Sequence, residues 1–330
     1  MSRASRRRFL VAFGALGALA AARAHSQGHA PQAQIAVLSD STGNVAEARW
    51  LAFRDRLREL GYVEGKNLAI AWRFSGGVQS RLPSLAAELV ALKPSVILTV
   101  TTPATQAAMK ATASIPIVFV GAGEPVESGL VASLARPGGN VTGTTNMSGA
   151  LSGKWLEILI AIKPGARKFA FLGQGNNRGF ASVLRSTQTA ASALGVSVRP
   201  LEATNPREVE QAFELMRSEK FDALMVASSP VILSQGEQIV DLAARHRLPA
   251  LYSRDEYLGL GGLLSYGPDR NAYFRRSAEY VQRILQGTRP SDLPVEEPSR
   301  FVLVINMKTA RALGLNMPQS LLLRADRLIE

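Results

Sequence analysis

From Gln34 onward, short apolar runs rich in β-branched residues alternate with longer amphipathic stretches, and this alternation restricts the fold more than any other feature. A strand made of consecutive Val, Ile and Leu needs cover on both faces, and the helices between such strands supply it. The pattern therefore predicts βαβ units on parallel sheets. Strands are expected over 34–39, 68–72, 95–101 and 115–120. Helices are expected ending at Leu60, over 81–92, over 103–112 and over 126–134. Gly61 suits a helix C-terminus and Pro103 a first helical turn.

The second half repeats the order of the first. Lys168-Phe169-Ala170-Phe171-Leu172 opens it as Gln34-Ile35-Ala36-Val37-Leu38 opened the first. Leu60-Gly61-Tyr62 is echoed by Leu194-Gly195-Val196, and Thr101-Thr102-Pro103 by Ser228-Ser229-Pro230. Ile115-Pro116-Ile117-Val118 is matched by Leu248-Pro249-Ala250-Leu251. The fold class that follows is α/β, with two Rossmann-like parallel-sheet lobes joined by a multi-strand hinge. The boundary falls near 143–146, after the turn-rich Arg136-Pro137-Gly138-Gly139-Asn140. A return near 252–257 assigns 34–145 plus 254–288 to the N-terminal lobe. The remainder, 146–253 plus 289–330, makes the C-terminal lobe. Two lobes on a hinge enclose a cleft.

Composition narrows the chemistry. The chain has 330 residues and no cysteine, which excludes disulfides, thiolate nucleophiles, Cys-ligated zinc and a lipidated N-terminal cysteine. His25, His29 and His246 are its only imidazoles, so no metal and no cofactor is expected. No Gly-x-Ser-x-Gly elbow or Walker loop occurs, and Gly121, Gly123 and Gly129 lack the spacing of a dinucleotide loop. Formal charge is +12, but Arg3, Arg6, Arg7, Arg8 and Arg23 sit in the first 24 residues without an acid, leaving +7 beyond them. The rest is scattered, with no basic stripe interleaved with aromatics, so no nucleic-acid partner is expected.

Residues 1–24 read as an address. Ser5-Arg6-Arg7-Arg8-Phe9-Leu10 matches the twin-arginine export pattern, an apolar run follows over 11–22, and Ala22-Arg23-Ala24 offers a cleavage site. That run, roughly a dozen residues, is shorter than the about 20 a bilayer span requires. The expected product is a periplasmic protein beginning near His25. An uncut membrane anchor is the alternative.

In open parallel sheets the binding crevice lies beyond the carboxyl ends of the strands, where helix starts offer unpaired N–H groups. The candidate ligand-binding residues of the first lobe are Ser39, Asp40, Ser41, Thr101, Thr102, Ala104, Gly121, Glu124 and Asn146. Facing them are Asn176, Asn177, Ser228, Ser229, Tyr252, Asp255 and Tyr266. Thr102 and Ser229 equally suit plain helix caps, Glu124 a first-turn acid and Tyr266 hinge packing. Asp40 directly follows the first strand. An amino-acid ligand would present its ammonium to Asp40, Glu124 or Asp255 and its carboxylate to the helix start at 102–104. Tyr252, Tyr266 and Phe180 could stack on an aromatic side chain.

Several longer motifs then become recognisable. Leu60-Gly61-Tyr62-Val63-Glu64-Gly65-Lys66-Asn67, Leu134-Ala135-Arg136-Pro137-Gly138-Gly139-Asn140-Val141-Thr142-Gly143 and Gly262-Leu263-Leu264-Ser265-Tyr266-Gly267-Pro268 are three of them. With the C-terminal Ser320-Leu321-Leu322-Leu323-Arg324-Ala325-Asp326, the chain resembles the substrate-binding family of ATP-binding-cassette importers that includes tryptophan- and tyrosine-binding members. The resemblance implies a type I periplasmic-binding fold, ligand closure between lobes and delivery to an inner-membrane permease, with no chemistry; a monomer is expected. The sequence departs from the family pattern at Glu124-Pro125, where an aspartate is usual, and in the loop 173–177. The ligand is thus expected to be a small polar molecule, with an amino acid or related carboxylate among the candidates. A sensory binding component, or a two-lobed α/β enzyme, remains the competing reading.

Overall fold

In the computed structural model the apolar runs sort into two separate sheets. The structure describes residues 33–41, 43–44, 47–146, 148–175, 178–227 and 229–330. The export segment expected over 1–24 lies outside these residues, as do Asn176, Asn177 and Ser228.

The first sheet holds β1 (Ala33–Ser39), β2 (Leu68–Phe74), β3 (Val96–Val100), β4 (Ile117–Ala122) and β5 (Val141–Thr145). They lie in the order β2-β1-β3-β4-β5, all parallel. Helices α1 (Ala48–Glu59), α2 (Leu82–Ala91) and α3 (Thr102–Ala111) connect them. The period of two along a strand decides what covers each face. Ile35 and Val37 of β1 meet Trp50, Phe53 and Leu57 of α1. Ala36 and Leu38 meet Leu85 and Leu89 of α2 with Ala104 and Ala108 of α3.

The second lobe runs through α4 (Ser148–Ile162), β6 (Lys168–Gly173), α5 (Arg178–Ala193), β7 (Ser197–Glu202) and α6 (Pro206–Ser218). It continues with β8 (Ala223–Val226), α7 (Pro230–Leu233), α8 (Gly236–Arg245), β9 (Ala250–Tyr252), α9 (Glu256–Gly259) and β10 (Leu264–Pro268). After the long α10 (Arg270–Leu285) come β11 (Phe301–Asn306), α11 (Met307–Ala312), α12 (Gln319–Leu322) and β12 (Arg327–Ile329). This sheet has the order β12-β11-β10-β9-β8-β6-β7, and β10–β11 is its antiparallel pair. The repeat seen in sequence is a repeat of geometry. Gly61 and Gly195 both have positive φ, and each closes a helix by the same pair of bonds. Tyr62 N–H donates to Leu57 C=O and Gly61 N–H to Arg58 C=O, as Val196 does to Ala191 and Gly195 to Ser192.

Two expectations need correction. The segment 126–134 is a run of turns rather than a helix. Its first turn closes when Gly129, at φ 72°, turns the chain and Leu130 N–H bonds back to Pro125 C=O. The lobe boundaries also shift. β10 pairs with β9 and β11, so the chain stays in the second sheet through Pro268 instead of leaving it at 254. It then crosses to the first lobe, where Tyr273, Phe274, Tyr280 and Val281 of α10 pack with Trp50 and Phe53. The stretch around Leu293–Glu296 also belongs there, since Thr142 Oγ1 donates to Leu293 C=O at 2.6 Å and Thr145 N–H to Glu296 C=O at 2.9 Å. The final crossing lies just before Phe301 rather than at 289, so three strands of chain join the lobes.

Gly143 shows how tightly β4 and β5 are fitted. It sits opposite Phe119, and a Cβ there would lie 2.7 Å from the Phe119 nitrogen and closer still to its carbonyl oxygen. Backbone cannot yield as a side chain can. Gly143→Ala should therefore lower the unfolding free energy by about 3 kcal/mol or more, read as a shifted urea midpoint. An unchanged midpoint would contradict this register.

Candidate functional site: a cleft between the carboxyl ends of two sheets

A single cleft collects residues that follow the strands of both sheets. Asp40 follows β1, Thr101, Thr102 and Pro103 follow β3, Gly121 and Gly123 lie at the end of β4, and Asn146 follows β5. From the other side come Gln174 after β6, Ala227, Ser229 and Pro230 after β8, and Ser253 and Arg254 after β9. This is the position at which parallel sheets leave helix starts and loop backbone available to a ligand.

The two walls differ in chemistry. The first lobe is polar, and its centre is Asp40, which is 1 % exposed. Thr101 Oγ1 donates to Asp40 Oδ2 at 2.9 Å, while Oδ1 is buried without a partner. Burial raises the Asp40 carboxyl to about 6, with the Thr101 bond and then the Arg254 charge holding it from rising further. Thr101 adopts φ 85°, a region costly for a residue with a Cβ, and functional sites are where such strain persists.

The second lobe contributes an apolar wall of Trp155, Phe171, Phe180 and Val183. Trp155 and Phe171 meet edge to face with centroids 6.1 Å apart, and Phe171 and Phe180 lie 5.1 Å apart. Trp155 Nε1 donates to Tyr266 C=O at 2.8 Å, which fixes the indole at the edge of the cleft. Gly173 makes room for this wall, because a Cβ there would run into the Phe180 ring.

Charged side chains bridge the lobes. Glu256 of α9 accepts from Arg254 at 2.6 Å and from Arg270 of α10, with Arg49 of α1 at 3.8 Å. Burial alone would raise the Glu256 carboxyl, but Arg254 and then Arg270 pull it far below the usual carboxylate range. Elsewhere Glu127 of the first lobe accepts from Ser182 and Arg185 of α5, each at 2.6 Å. Glu127 and Arg185 are exposed, and pairs of this kind are weak in water, so this contact holds the lobes only loosely.

Of the residues singled out in the sequence, Asp40, Thr101, Thr102, Gly121, Asn146 and Ser229 line the cleft. Others lie away from it. Ser39 is fully buried and bonds Ser41, Ala104 packs in the core beneath the sheet, and Glu124 turns the chain at φ 42°. Tyr252 is a core residue stacked 4.6 Å from Tyr257. Asp255 faces Arg327 at 3.6 Å in a neighbouring hollow, and Tyr266 packs on Phe301. Ser229 also caps α7 through Ile232 N–H, whereas the cap position of α3 is Thr101, not Thr102, and its side chain bonds Asp40 instead. Trp155, Phe171 and Val183 escaped sequence reasoning. They are apolar residues on a helix and strand, and the sequence carries no signal separating them from core. Among the described residues no group of His, Cys, Asp or Glu could hold a metal ion.

Two sheets aiming their carboxyl ends into one hinged cleft define the class of two-lobed solute-binding proteins. Residues 34–329 match the family of ABC transporter substrate binding proteins, and the chain belongs to that family. A tyrosine-binding protein of Clostridioides difficile is 28% identical over 263 residues, covering 80% of this chain and 75% of that protein. A structure from Vibrio cholerae, described as a conserved domain protein, superposes with a TM-score of 0.85 at 28% identity, covering 90% of this chain and 99% of that one. A Streptococcus pneumoniae ABC domain in complex with L-Trp gives 0.83 at 26% identity, with coverage of 90% and 100%. The fold is therefore that of a type I periplasmic binding protein.

The Asp40 carboxyl yields a prediction with a definite sign. Its native value, about 6, exceeds the 3.8 of the unfolded chain, so the native state binds the proton more tightly. Stability from this group is present at low pH and lost as pH rises from about 4 through 6, leaving a cost of about 3 kcal/mol at neutral pH. Asp40→Asn should stabilise the empty protein by that order at pH 7.5, with the gain shrinking toward pH 4. Urea unfolding of both proteins across that range measures it, and a pH-independent difference would refute the burial of an unpaired carboxylate.

Proposed function

We propose that this protein captures an aromatic amino acid in the cleft and delivers it to an ABC permease of the inner membrane. The observation that carries the reading is the pairing of a buried, half-unsatisfied carboxylate with an aromatic wall across the gap. The ammonium of the solute satisfies Asp40 Oδ1 and returns its charge to a favourable setting. The ring packs against Trp155, Phe171 and Phe180. The carboxylate meets the positive end of the cleft, where α3 begins and Arg254 reaches in. The named ligands of the Clostridioides difficile and Streptococcus pneumoniae relatives, tyrosine and L-Trp, support this choice.

The remaining assignments follow from the same reading. Residues 1–24 act as a twin-arginine signal peptide cleaved near Ala24, and the protein works in the periplasm as a monomer. It performs no chemistry: binding energy goes into closing the lobes, and the permease recognises the closed form. A soluble carrier of this kind needs differential affinity between open and closed states, which a ligand touching both lobes supplies.

Thermal unfolding of the purified protein with L-tyrosine, L-tryptophan and L-phenylalanine tests the proposal. A solute bound by the native state alone stabilises it by about 2.7 kcal/mol at a hundredfold excess over Kd. Asp40→Asn should weaken the best of them by about 10- to 100-fold. Affinity should fall as pH drops below about 6, where the carboxyl takes up its proton. No shift with any of the three, together with a shift by a sugar or a dicarboxylate, would replace the proposed solute class.

A further inference from the structure

The cleft does not end at Asp40 and the aromatic wall. It continues toward the hinge into a compartment lined by Thr101, Gly121, Asn146, Ser253, Arg254, Arg270 and Tyr273, among apolar neighbours. Two of its donors have no acceptor. The hydroxyls of Ser253 and Tyr273 are both buried without a partner. Tyr273 is 8% exposed, and burial keeps its hydroxyl protonated far above the ordinary phenol range. A buried hydroxyl left unsatisfied is destabilising, so two in one compartment call for an occupant.

Arginines gather at the same place. Arg49, Arg254 and Arg270 crowd around Glu256, and Glu47 pairs with Arg49 at 2.5 Å. Asp40 lies on the other side of Arg254, and burial raises its carboxyl to about 6. Arg49 Nε is itself buried without a partner. Burial, and next the like charge of Arg254, lower the Arg270 guanidinium to about 10. Two guanidiniums beside two unpartnered buried hydroxyls offer donors that an anionic oxygen group can accept from.

We propose that this hinge-side compartment is a subsite for a carboxylate-sized anionic oxygen group, bound by Arg254, Arg270, Ser253 and Tyr273. Arg270 and Tyr273 belong to α10 on the first lobe, while Ser253 and Arg254 follow β9 on the second. An anion here ties the lobes together beside the chain crossings, so its occupancy favours the closed form. The group arrives either on the solute, as its own carboxylate, or as a free small anion bound beside it. The first source rests on the amino-acid reading above; the second does not.

Formate and tyramine separate these cases. Sodium formate titrated into the solute-free protein should raise its melting temperature along a saturating curve, and Tyr273→Phe should shift the midpoint of that curve at least 10-fold. The Tyr273 hydroxyl has no partner to lose, so this variant keeps its fold; Arg270→Gln provides a second, stronger lesion. Calorimetry then compares L-tyrosine with tyramine, which lacks the carboxylate. If Tyr273→Phe weakens L-tyrosine and leaves tyramine unchanged, the solute's own carboxylate fills the subsite. Equal weakening of both, with a formate response in the wild type, assigns it to a free anion. A saturating formate response with no binding of either amine would sustain the subsite and remove the aromatic amino acid as solute. The proposal is overturned if formate acts linearly and identically on wild type and both variants while L-tyrosine affinity stays unchanged in Tyr273→Phe.

Discussion

The Glu256 carboxylate ties the architecture together. It sits on the second lobe, yet two of its three guanidinium partners, Arg49 and Arg270, come from the first. Its side chain is 35% exposed, so water shares in its solvation, but three guanidiniums around one carboxylate still hold it more firmly than a lone surface pair would. The lobes are therefore held in a defined relation at the hinge side. The exposed Glu127–Arg185 pair, by contrast, can open at little cost. That inequality is what a binding protein with a moving cleft requires: one margin firm, another free to part.

The functional logic of the cleft lies in its asymmetry. The first lobe ends in polar strand termini, with Asp40 held by Thr101, and the second presents Trp155, Phe171 and Phe180. Neither wall is a complete site. On the proposed reading, a solute bridging the gap meets the half-satisfied carboxylate on one side and the aromatic wall on the other, and so ties binding to lobe closure.

The parallel sheets, the repeat and the ends of the strands were legible because each leaves a local mark. Apolar runs such as Val96-Ile97-Leu98 and the glycines at 61 and 195 act within a few residues of themselves. Asp40 could be singled out because an acid directly after a buried strand has few structural reasons to be there. Tyr252 was misjudged for the converse reason. It too follows a strand motif, but its ring turns inward onto Tyr257, and no local rule decides which way an aromatic at a strand end will face. The return of the chain to the first lobe was placed too early, since β10 looks like any short strand until its pairing with β9 and β11 is known.

By itself the sequence determined that two α/β lobes form, where their strands end, and that cysteine chemistry plays no part in them. Those outcomes follow from periodicity, turn residues and composition, which are local properties. Only the tertiary structure decided which lobe each late segment joins and which side chains line the gap. It also decided that Arg49, Arg254 and Arg270, separated by more than 200 positions at the extremes, converge on one carboxylate. Contacts of that kind depend on how two independently folded sheets are docked, and nothing within a few residues of any one of them carries that information.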